Sequence, residues 1–288
     1  MPDLRHRLRP LLHSGISFKV SGAIDEIVAS GDPDLIDWAL GPTSIDKLGE
    51  NKHRRWKYGN ACAPDHPSLG VASLLRLANA GTSKRCIALR DQLSSLCMEA
   101  DEYSSEYLDL APIRGATGIG TLRVYGYELD SRWEWRAEAV PREVLNLDAL
   151  FTLTGLEHLI VANTKGITTE ILEGIAGLPA LRRLELSATD VVDLSPLVSS
   201  KKLESLYVAA SPVLAKIDAL PRTLRRLHLE DLSALTSVDG LAKLPALEDL
   251  YVGGVPLTAL PTLANKKTKV RFEPTRSPRS DFDPPPDL

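Results

Sequence analysis

The sequence predicts an α/β solenoid with a parallel β-sheet, preceded by an α-helical N-terminal region. Leucine supplies 48 of the 288 residues, whereas phenylalanine supplies 4 and methionine 2. The pattern Leu-x-x-Leu-x-Leu/Val recurs five times, beginning at Leu156, Leu181, Leu203, Leu224 and Leu247. The intervals between these first leucines are 25, 22, 21 and 23 residues. This regularity is typical of a chain built from stacked repeats.

Each copy of the pattern reads as one short strand with a buried face. The second leucine and the following Leu or Val alternate with polar residues, which indicates a strand of period two. A single coil of this size cannot bury its own leucines, so neighbouring coils must stack around a shared apolar interior. The sequence therefore predicts a solenoid over residues 144–272, with one parallel strand per coil.

The repeats resemble the leucine-rich repeat family. The segments 192–197 and 202–206 are similar to the 22-residue, internalin-like variety that is found in bacteria, and Leu178-Pro-Ala-Leu181 returns as Leu244-Pro-Ala-Leu247. The resemblance implies a concave face formed by the sheet. The asparagine that the family carries three positions after the last motif residue is replaced in all five copies, by Thr164, Thr189, Ser211, Leu232 and Val255. A hydroxyl can bond loop backbone in place of an amide, whereas Leu232 and Val255 cannot, so we expect irregular last coils.

The N-terminal region, residues 1–118, lacks the leucine period and is predicted to be helical. Asp32 before Pro33 is typical of a helix start, and residues 23–29 supply a second helix, so that the two resemble a HEAT-type pair. Further helices are expected over residues 69–80 and 85–100. Because a solenoid needs a cover at its exposed end, we expect this region to cap the repeats.

Two further segments complete the predicted organisation. Residues 119–143 form a transition in which Leu122-Arg-Val124 reads as a degenerate first repeat. Residues 273–288 are rich in proline and poor in apolar side chains, so we expect a disordered tail.

Composition excludes several functional classes. The net charge of −4 argues against nucleic acid as a partner, because binding many phosphates needs an excess of Lys and Arg. A mean hydropathy of −0.08, with no apolar run near about 18 residues, argues against a membrane span. Three cysteines are too few for a disulfide framework, and the first residues carry no signal-peptide pattern. We therefore expect a cytoplasmic protein.

The sequence carries no familiar catalytic motif, and we expect neither an enzyme nor a cofactor. His53, Cys62 and His66 lie close together but lack the fourth ligand that a zinc site needs, so a polar loop is favoured. Cys86 and Cys97 are eleven residues apart, which would place both thiols on one face of a helix as buried structural groups.

The predicted concave face is the candidate binding site. Strand side chains alternate between faces, so three positions per motif point away from the leucine interior. Tyrosine and arginine, which are enriched at binding hot spots, occur among them. The candidate residues are Tyr207, Tyr251, His228, Arg183, Arg226, Glu185 and His158. Small residues at the third position, such as Ala162 and Gly253, are expected to leave room for a partner.

These observations favour a non-enzymatic interaction module that binds a protein partner on the concave face. Two alternatives remain open. The same face could serve a bacterial effector or an immunity protein that neutralises a toxin. A metal-dependent or enzymatic N-terminal region could instead be targeted by the repeats.

Overall fold

The computed structural model describes residues 4–12, 17–40, 71–92, 95–99, 107–126 and 141–273. The chain divides into two compact units. We call Met1–Arg123 with Leu145–Leu156 the helical unit, and Val124–Val144 with Glu157–Leu288 the repeat unit.

The helical unit confirms the predicted N-terminal helices. Its α-helices span Leu4–Leu12, Ser17–Ser30, Pro33–Leu40, Val71–Ala80 and Lys84–Gln92. Their apolar side chains share one core, in which Leu8, Leu12, Ile24 and Ile27 are fully buried. These residues recur at three- to four-residue spacing, so each helix presents one apolar stripe to the others.

The start of the third helix follows the predicted chemistry. Asp32 Oδ1 accepts hydrogen bonds from the backbone N–H groups of Asp34 at 2.9 Å and Leu35 at 3.3 Å. Pro33 occupies the first helical position, where its missing N–H costs nothing. Gly31, with φ of 63°, makes the turn from the preceding helix.

The expected helix over residues 85–100 is wrong in its second half. The helix ends at Gln92, and Ser95–Glu99 forms a strand. Cys86 and Cys97 therefore belong to different elements, and their spacing does not place them on one helix face. Serines at positions 94 and 95 are poor helix formers because their hydroxyls compete for backbone groups, a local signal that the eleven-residue spacing obscured. Cys86 itself is a free, buried thiol.

The strands of the described residues are numbered here in chain order. They are β1 Ser95–Glu99, β2 Tyr107–Asp109, β3 Thr121–Tyr125, β4 Arg142–Leu145, β5 His158–Ala162, β6 Thr164–Lys165, β7 Arg183–Ser187, β8 Ser205–Ala209, β9 Arg226–Glu230, β10 Asp249–Gly253 and β11 Lys269–Glu273. In β3, Leu122 and Val124 are fully buried, which is the alternation predicted for a degenerate first repeat.

The predicted parallel sheet is confirmed in the repeat unit. Strand β5 pairs with β7, and β7 to β11 then follow one another in parallel and in register. The second motif leucines lie opposite one another along the sheet and are at most 2% exposed; they are Leu159, Leu184, Leu206, Leu227 and Leu250. Burying one leucine contributes roughly 1.5–3 kcal/mol, so this ladder is a large contribution to the stability of the solenoid.

In three coils of the repeat unit, a helical segment lies on the path from one strand to the next. The α-helix Thr169–Ala176 lies between β5 and β7, while 3₁₀-helices span Ser195–Ser199 and Asp239–Lys243 in later coils. The α-helix is capped by Thr168, whose hydroxyl oxygen accepts a hydrogen bond from the backbone N–H of Ile171 at 3.4 Å.

One residue after each of five strands adopts a left-handed backbone conformation. These residues are Asn163, Ala188, Ala210, Asp231 and Gly254, with φ between 48° and 62°. The shared conformation turns every coil out of the sheet in the same way. It is therefore a second repeated feature of the fold, beside the leucine ladder.

The replaced asparagine positions affect the coils unequally. Thr189 and Ser211 are buried, and their hydroxyl oxygens lie 3.2 Å apart in neighbouring coils. Leu232 and Val255 are buried as apolar residues instead. The coil that contains Leu232 keeps a 3₁₀-helix, whereas residues 254–268 contain no helical turn. Residues 210–225, which include Ser211, contain no helical turn either, so the presence of a helical turn does not follow from the residue at the asparagine position.

Candidate protein-binding face

The strand register places the candidate residues in rows across the sheet. We call the side of β5 and β7–β11 that faces away from the leucine ladder the concave face. Its first row runs His158, Arg183, Ser205, Arg226, Asp249 and Lys269; its middle row runs Ile160, Glu185, Tyr207, His228, Tyr251 and Arg271; its third row runs Ala162, Ser187, Ala209, Glu230, Gly253 and Glu273. Residues seventy positions apart in sequence therefore share one surface.

The middle row contains a continuous stack of rings. The centroids of Tyr207 and His228 are 4.6 Å apart, and those of His228 and Tyr251 are 4.2 Å apart with ring planes 27° from parallel. The guanidinium carbon of Arg271 lies 5.5 Å from the centroid of Tyr251, within the range of a cation–π contact. The ring separations are below the strand spacing of about 4.8 Å, so these side chains converge as a concave sheet requires.

Two glutamates of the third row hold the stack in place. Glu230 Oε2 accepts a hydrogen bond from the Tyr207 hydroxyl at 3.3 Å and lies 3.0 Å from His228 Nε2. Glu273 accepts hydrogen bonds from the Tyr251 hydroxyl at 3.4 Å and from Arg271 Nε at 2.7 Å. Because an ionised carboxylate only accepts hydrogen bonds, a hydrogen bond at this contact needs the imidazole proton on Nε2 of His228. The stack is thus ordered before any partner binds.

Tyr207 is less accessible than the sequence suggested. Its residue surface is 4% exposed, although it lies on the predicted face. Burial, followed by the charge of Glu230, raises the pKa of its hydroxyl, because ionisation would place a second negative charge beside a carboxylate. Tyr207 therefore supports the stack from within, and Tyr251 and Arg271 present its more accessible end.

The space expected beside the small residues of the third row is partly filled by the side chain of Tyr251. The ring of Tyr251 lies so close to Gly253 that a Cβ atom there would meet the Tyr251 ring, with its Cζ at 2.7 Å and Cε1 at 2.9 Å. Glycine at this position allows Tyr251 to fold over the strand. The small side chain thus serves the shape of the stack as well as access to the sheet.

His158 and Glu185 form a separate pair at the other end of the face. His158 Nε2 lies 2.8 Å from Glu185 Oε1, and the two side chains are 18% and 14% exposed. The pair occupies neighbouring strands, which the sequence predicted from the register of the motifs. Their bond orients both side chains and leaves little of either one to the solvent.

A cleft lies beside the stack, at the amino-terminal ends of β5, β7, β8 and β9. Its volume is about 340 Å³, and two consecutive residues of each of four motifs line it. These are residues 157–158, 182–183, 204–205 and 225–226. The cleft brings Arg183 and Arg226 together with Arg182 and Arg225, which the motif rows alone had not grouped.

The repeat geometry decides the fold. A parallel in-register strand recurs every 20 to 25 residues, each motif leucine points inward, and a left-handed residue follows the strands. The repeat unit has the leucine-rich repeat fold. Its coils match the 20- to 29-residue period of that architecture, with the sheet on one side and helical turns on the return path.

The whole chain is similar to known proteins in its structure alone. No protein-family model matches it, and no curated protein does either. Among solved structures it is similar to internalin C2 of Listeria monocytogenes, at 19% identity and a TM-score of 0.42 over 70% of this chain and 92% of that chain. It is also similar to the leucine-rich repeat domain of the type III effector XopL, at 21% identity and a TM-score of 0.38 over 64% of this chain and 71% of that one.

A third similar structure is a leucine-rich repeat protein of Leptospira interrogans, at 14% identity and a TM-score of 0.30 over 81% of this chain and 87% of that chain. The assignment of the leucine-rich repeat fold rests on the strand register and leucine ladder of this chain itself.

Within the described residues, no three His, Cys, Asp or Glu side chains are arranged to hold a metal ion. His53, Cys62 and His66 lie outside those residues, as does the proline-rich segment 274–288. None of the helices that the structure describes has the length and apolar character needed to cross a bilayer.

Two members of the concave face were not among the residues predicted from the sequence. Arg271 and Glu273 lie on β11, directly beside Tyr251 and Gly253. Residues 268–272 alternate apolar and polar side chains, so continuing the motif rows into this sixth strand would have found both. Arg271 was not placed in the rows because β11 lacks the leucines that define the other copies. Glu273 was expected to begin the disordered tail, and this is wrong, because β11 extends to Glu273.

Proposed function

We propose that the leucine-rich repeat is a non-enzymatic interaction module that binds a protein partner on its concave face. The main support for this proposal is an ordered stack of side chains that Glu230 and Glu273 hold in place. The stack consists of Tyr207, His228, Tyr251 and Arg271. Tyr251 and Arg226 are the proposed contact residues, together with Arg183. Tyr207 and His228 support them from the interior of the row.

Pre-organisation supports this reading. Binding normally costs free energy because side chains at an interface lose freedom, at about 0.5–1.5 kcal/mol for each long side chain. Tyr251 is already fixed between His228 and Arg271 and bonded to Glu273. The side chain of Tyr251 has therefore already lost its conformational freedom on folding, and a partner that packs on the ring avoids this cost of binding.

The histidines of the face fit a positioning role. His158 and His228 each meet a glutamate through Nε2, and the ring of His228 lies between two tyrosines. Both imidazoles are thus bonded and packed within the protein. We further propose that the interaction takes place in the cytoplasm, because the 3 cysteines of the chain are too few for a disulfide framework.

The test compares the concave face with the opposite side of the coils. The tagged full chain captures partners from a lysate, the captured protein is purified, and its affinity is measured by biolayer interferometry. Tyr251→Ala is expected to raise Kd about 30-fold, as loss of a hot spot does. The control is Val192→Ala, at a residue 61% exposed on the return path, and it should leave Kd within about twofold.

The proposal fails if a Tyr251→Ala variant with unchanged circular dichroism and Tm binds the partner as the parent chain does. It also fails if Val192→Ala weakens binding while Tyr251→Ala does not, because the partner would then occupy the return path.

A further inference from the structure

The charges at the amino-terminal edge of the sheet form an alternating row. Immediately before the first-row residues of the concave face, the successive coils carry Glu157, Arg182, Glu204, Arg225 and Glu248. Neighbouring strands are about 4.8 Å apart, so opposite charges there attract across the sheet. Arg182 pairs with Glu204 at 2.6 Å, and Arg225 with Glu248 at 2.5 Å. Glu157 is the third glutamate of this outer row, which therefore has one more carboxylate than guanidinium groups.

The next row departs from this alternation. Arg183 lies opposite Ser205, and Ser205 lies opposite Arg226, so two cations flank a small neutral side chain. The arginines are two strands apart, or roughly 10 Å between Cα atoms. Ser205 is 6% exposed, whereas Arg226 is exposed. The serine therefore forms the floor of the cleft, and the longer arginine side chains form its walls.

The lining of the cleft has an excess of positive charge. It contains four arginines and two glutamates, although the whole chain has a net charge of −4. Glu204 forms an ion pair with Arg182, and Arg225 forms one with Glu248, which lies outside the lining. Glu157 and Glu204 offset two of the four guanidinium charges, so the lining keeps a net positive charge, and Arg226 is an exposed arginine on the strand beside Ser205.

We propose that this cleft binds the carboxylate side chains of an acidic segment in the protein partner, with Arg183 and Arg226 as the clamping residues and Ser205 as the floor that admits them. The inference rests on the proposed function, because the cleft belongs to the same face. Planar guanidinium groups match carboxylates geometrically and form the strong, charge-assisted class of hydrogen bond.

The same pattern of charge disfavours a nucleic acid strand as the occupant. Glu157, Glu204 and Glu248 recur at every second coil beside the arginines. A backbone with a phosphate at each nucleotide would bring several negative charges against these carboxylates, and it gains affinity by neutralising many phosphates together. An acidic protein segment can place one or two carboxylates over Ser205 and keep other residues opposite the glutamates.

The experiment uses the full chain and a fluorescein-labelled peptide of six glutamates, with fluorescence anisotropy at low salt. We expect saturable binding that Arg226→Gln weakens about tenfold, the loss typical of one charged hydrogen bond. Ser205→Leu should weaken binding similarly without any change of charge, because it fills the floor. The matched control is Arg222→Gln, an exposed arginine outside the lining, which should change Kd less than twofold.

Three results would overturn the inference: no saturable binding of hexaglutamate, an equal loss in Arg222→Gln and Arg226→Gln, or tighter binding of a six-nucleotide oligo-dT than of the peptide. The last result would assign the cleft to nucleic acid. Arg226 is exposed, so its variant remains informative even if Ser205→Leu fails to fold.

The natural partner separates this inference from the proposed function. If Tyr251→Ala weakens that partner and Arg226→Gln does not, the partner uses the concave face without an acidic segment, and only the inference fails. If Tyr251→Ala has no effect, the proposed function fails, whatever the peptide does.

Discussion

The left-handed residue after each strand gives opposite predictions for alanine and glycine. Ala210 has φ of 49° and is exposed, whereas Gly254 has φ of 62° at the equivalent position. A residue with a Cβ pays about 1–2 kcal/mol in this conformation. Glycine avoids that cost but loses about 0.5–1 kcal/mol more on folding, because its unfolded chain is freer. Ala210→Gly should therefore raise the free energy of unfolding by about 0.5–1 kcal/mol.

The reverse change should destabilise the protein. An alanine at position 254 would have to adopt the positive φ of Gly254, and its Cβ would overlap Asp231 Oδ1. The expected loss from the backbone is about 0.5–1 kcal/mol, the same balance with the opposite sign, with a further contribution from displacing Asp231. Urea denaturation followed by circular dichroism measures both variants, and an unchanged m-value shows that only stability has changed.

A matched alanine shows whether the backbone angle is the cause. Ala242 lies in the 3₁₀-helix Asp239–Lys243 and does not have a positive φ, so Ala242→Gly should lower stability by about 0.5–1 kcal/mol. If Ala210→Gly lowers stability as Ala242→Gly does, the left-handed strain does not exist and the reasoning is refuted.

Three further predictions concern stability elsewhere in the chain. Thr168→Ala removes the helix cap and should cost about 1 kcal/mol, while Thr169→Ala, one residue later, should cost less; urea denaturation distinguishes them. The folded state raises the pKa of Tyr207, so the stability that this shift confers is complete below the unfolded pKa of about 10 and is lost as the pH rises above that value. Between about pH 9 and about pH 11, the free energy of unfolding should therefore fall less in Tyr207→Phe than in the parent chain. An equal fall in both proteins contradicts the raised pKa. Gly81→Ala would drive a Cβ into Cys86 Sγ and should cost about 1–3 kcal/mol, part of which Cys86→Ala recovers if that contact is the cause.

The rows of residues on the concave face could be predicted because the coils are regular. When coils differ by at most a few residues and leucines must point inward, the register of neighbouring strands has one solution, because a one-residue slip would expose every leucine. The row that joins Glu185, Tyr207, His228 and Tyr251 was accessible from the motifs alone for this reason. Arg271 obeys the same rule and was missed because its strand lacks the leucine signature.

The motifs could not predict the contacts between side chains of different rows of the concave face. Tyr207 and His228 share the single oxygen Oε2 of Glu230, and Tyr251 lies over Gly253. These contacts depend on side-chain torsions and on the convergence of neighbouring strands. The position of a residue in the repeat does not specify either quantity.

The sequence by itself determined the period, the face on which each strand residue lies and the leucine interior, because these follow from alternation along a strand and from the burial of apolar surface. Only the tertiary structure decided that Tyr207 is covered while Tyr251 is accessible, that residues 95–99 form a strand, and that Ser205 lies at the floor of a cleft between Arg183 and Arg226. The physical reason is that exposure depends on the sizes and conformations of neighbours from other coils, which are distant in sequence and adjacent in the sheet.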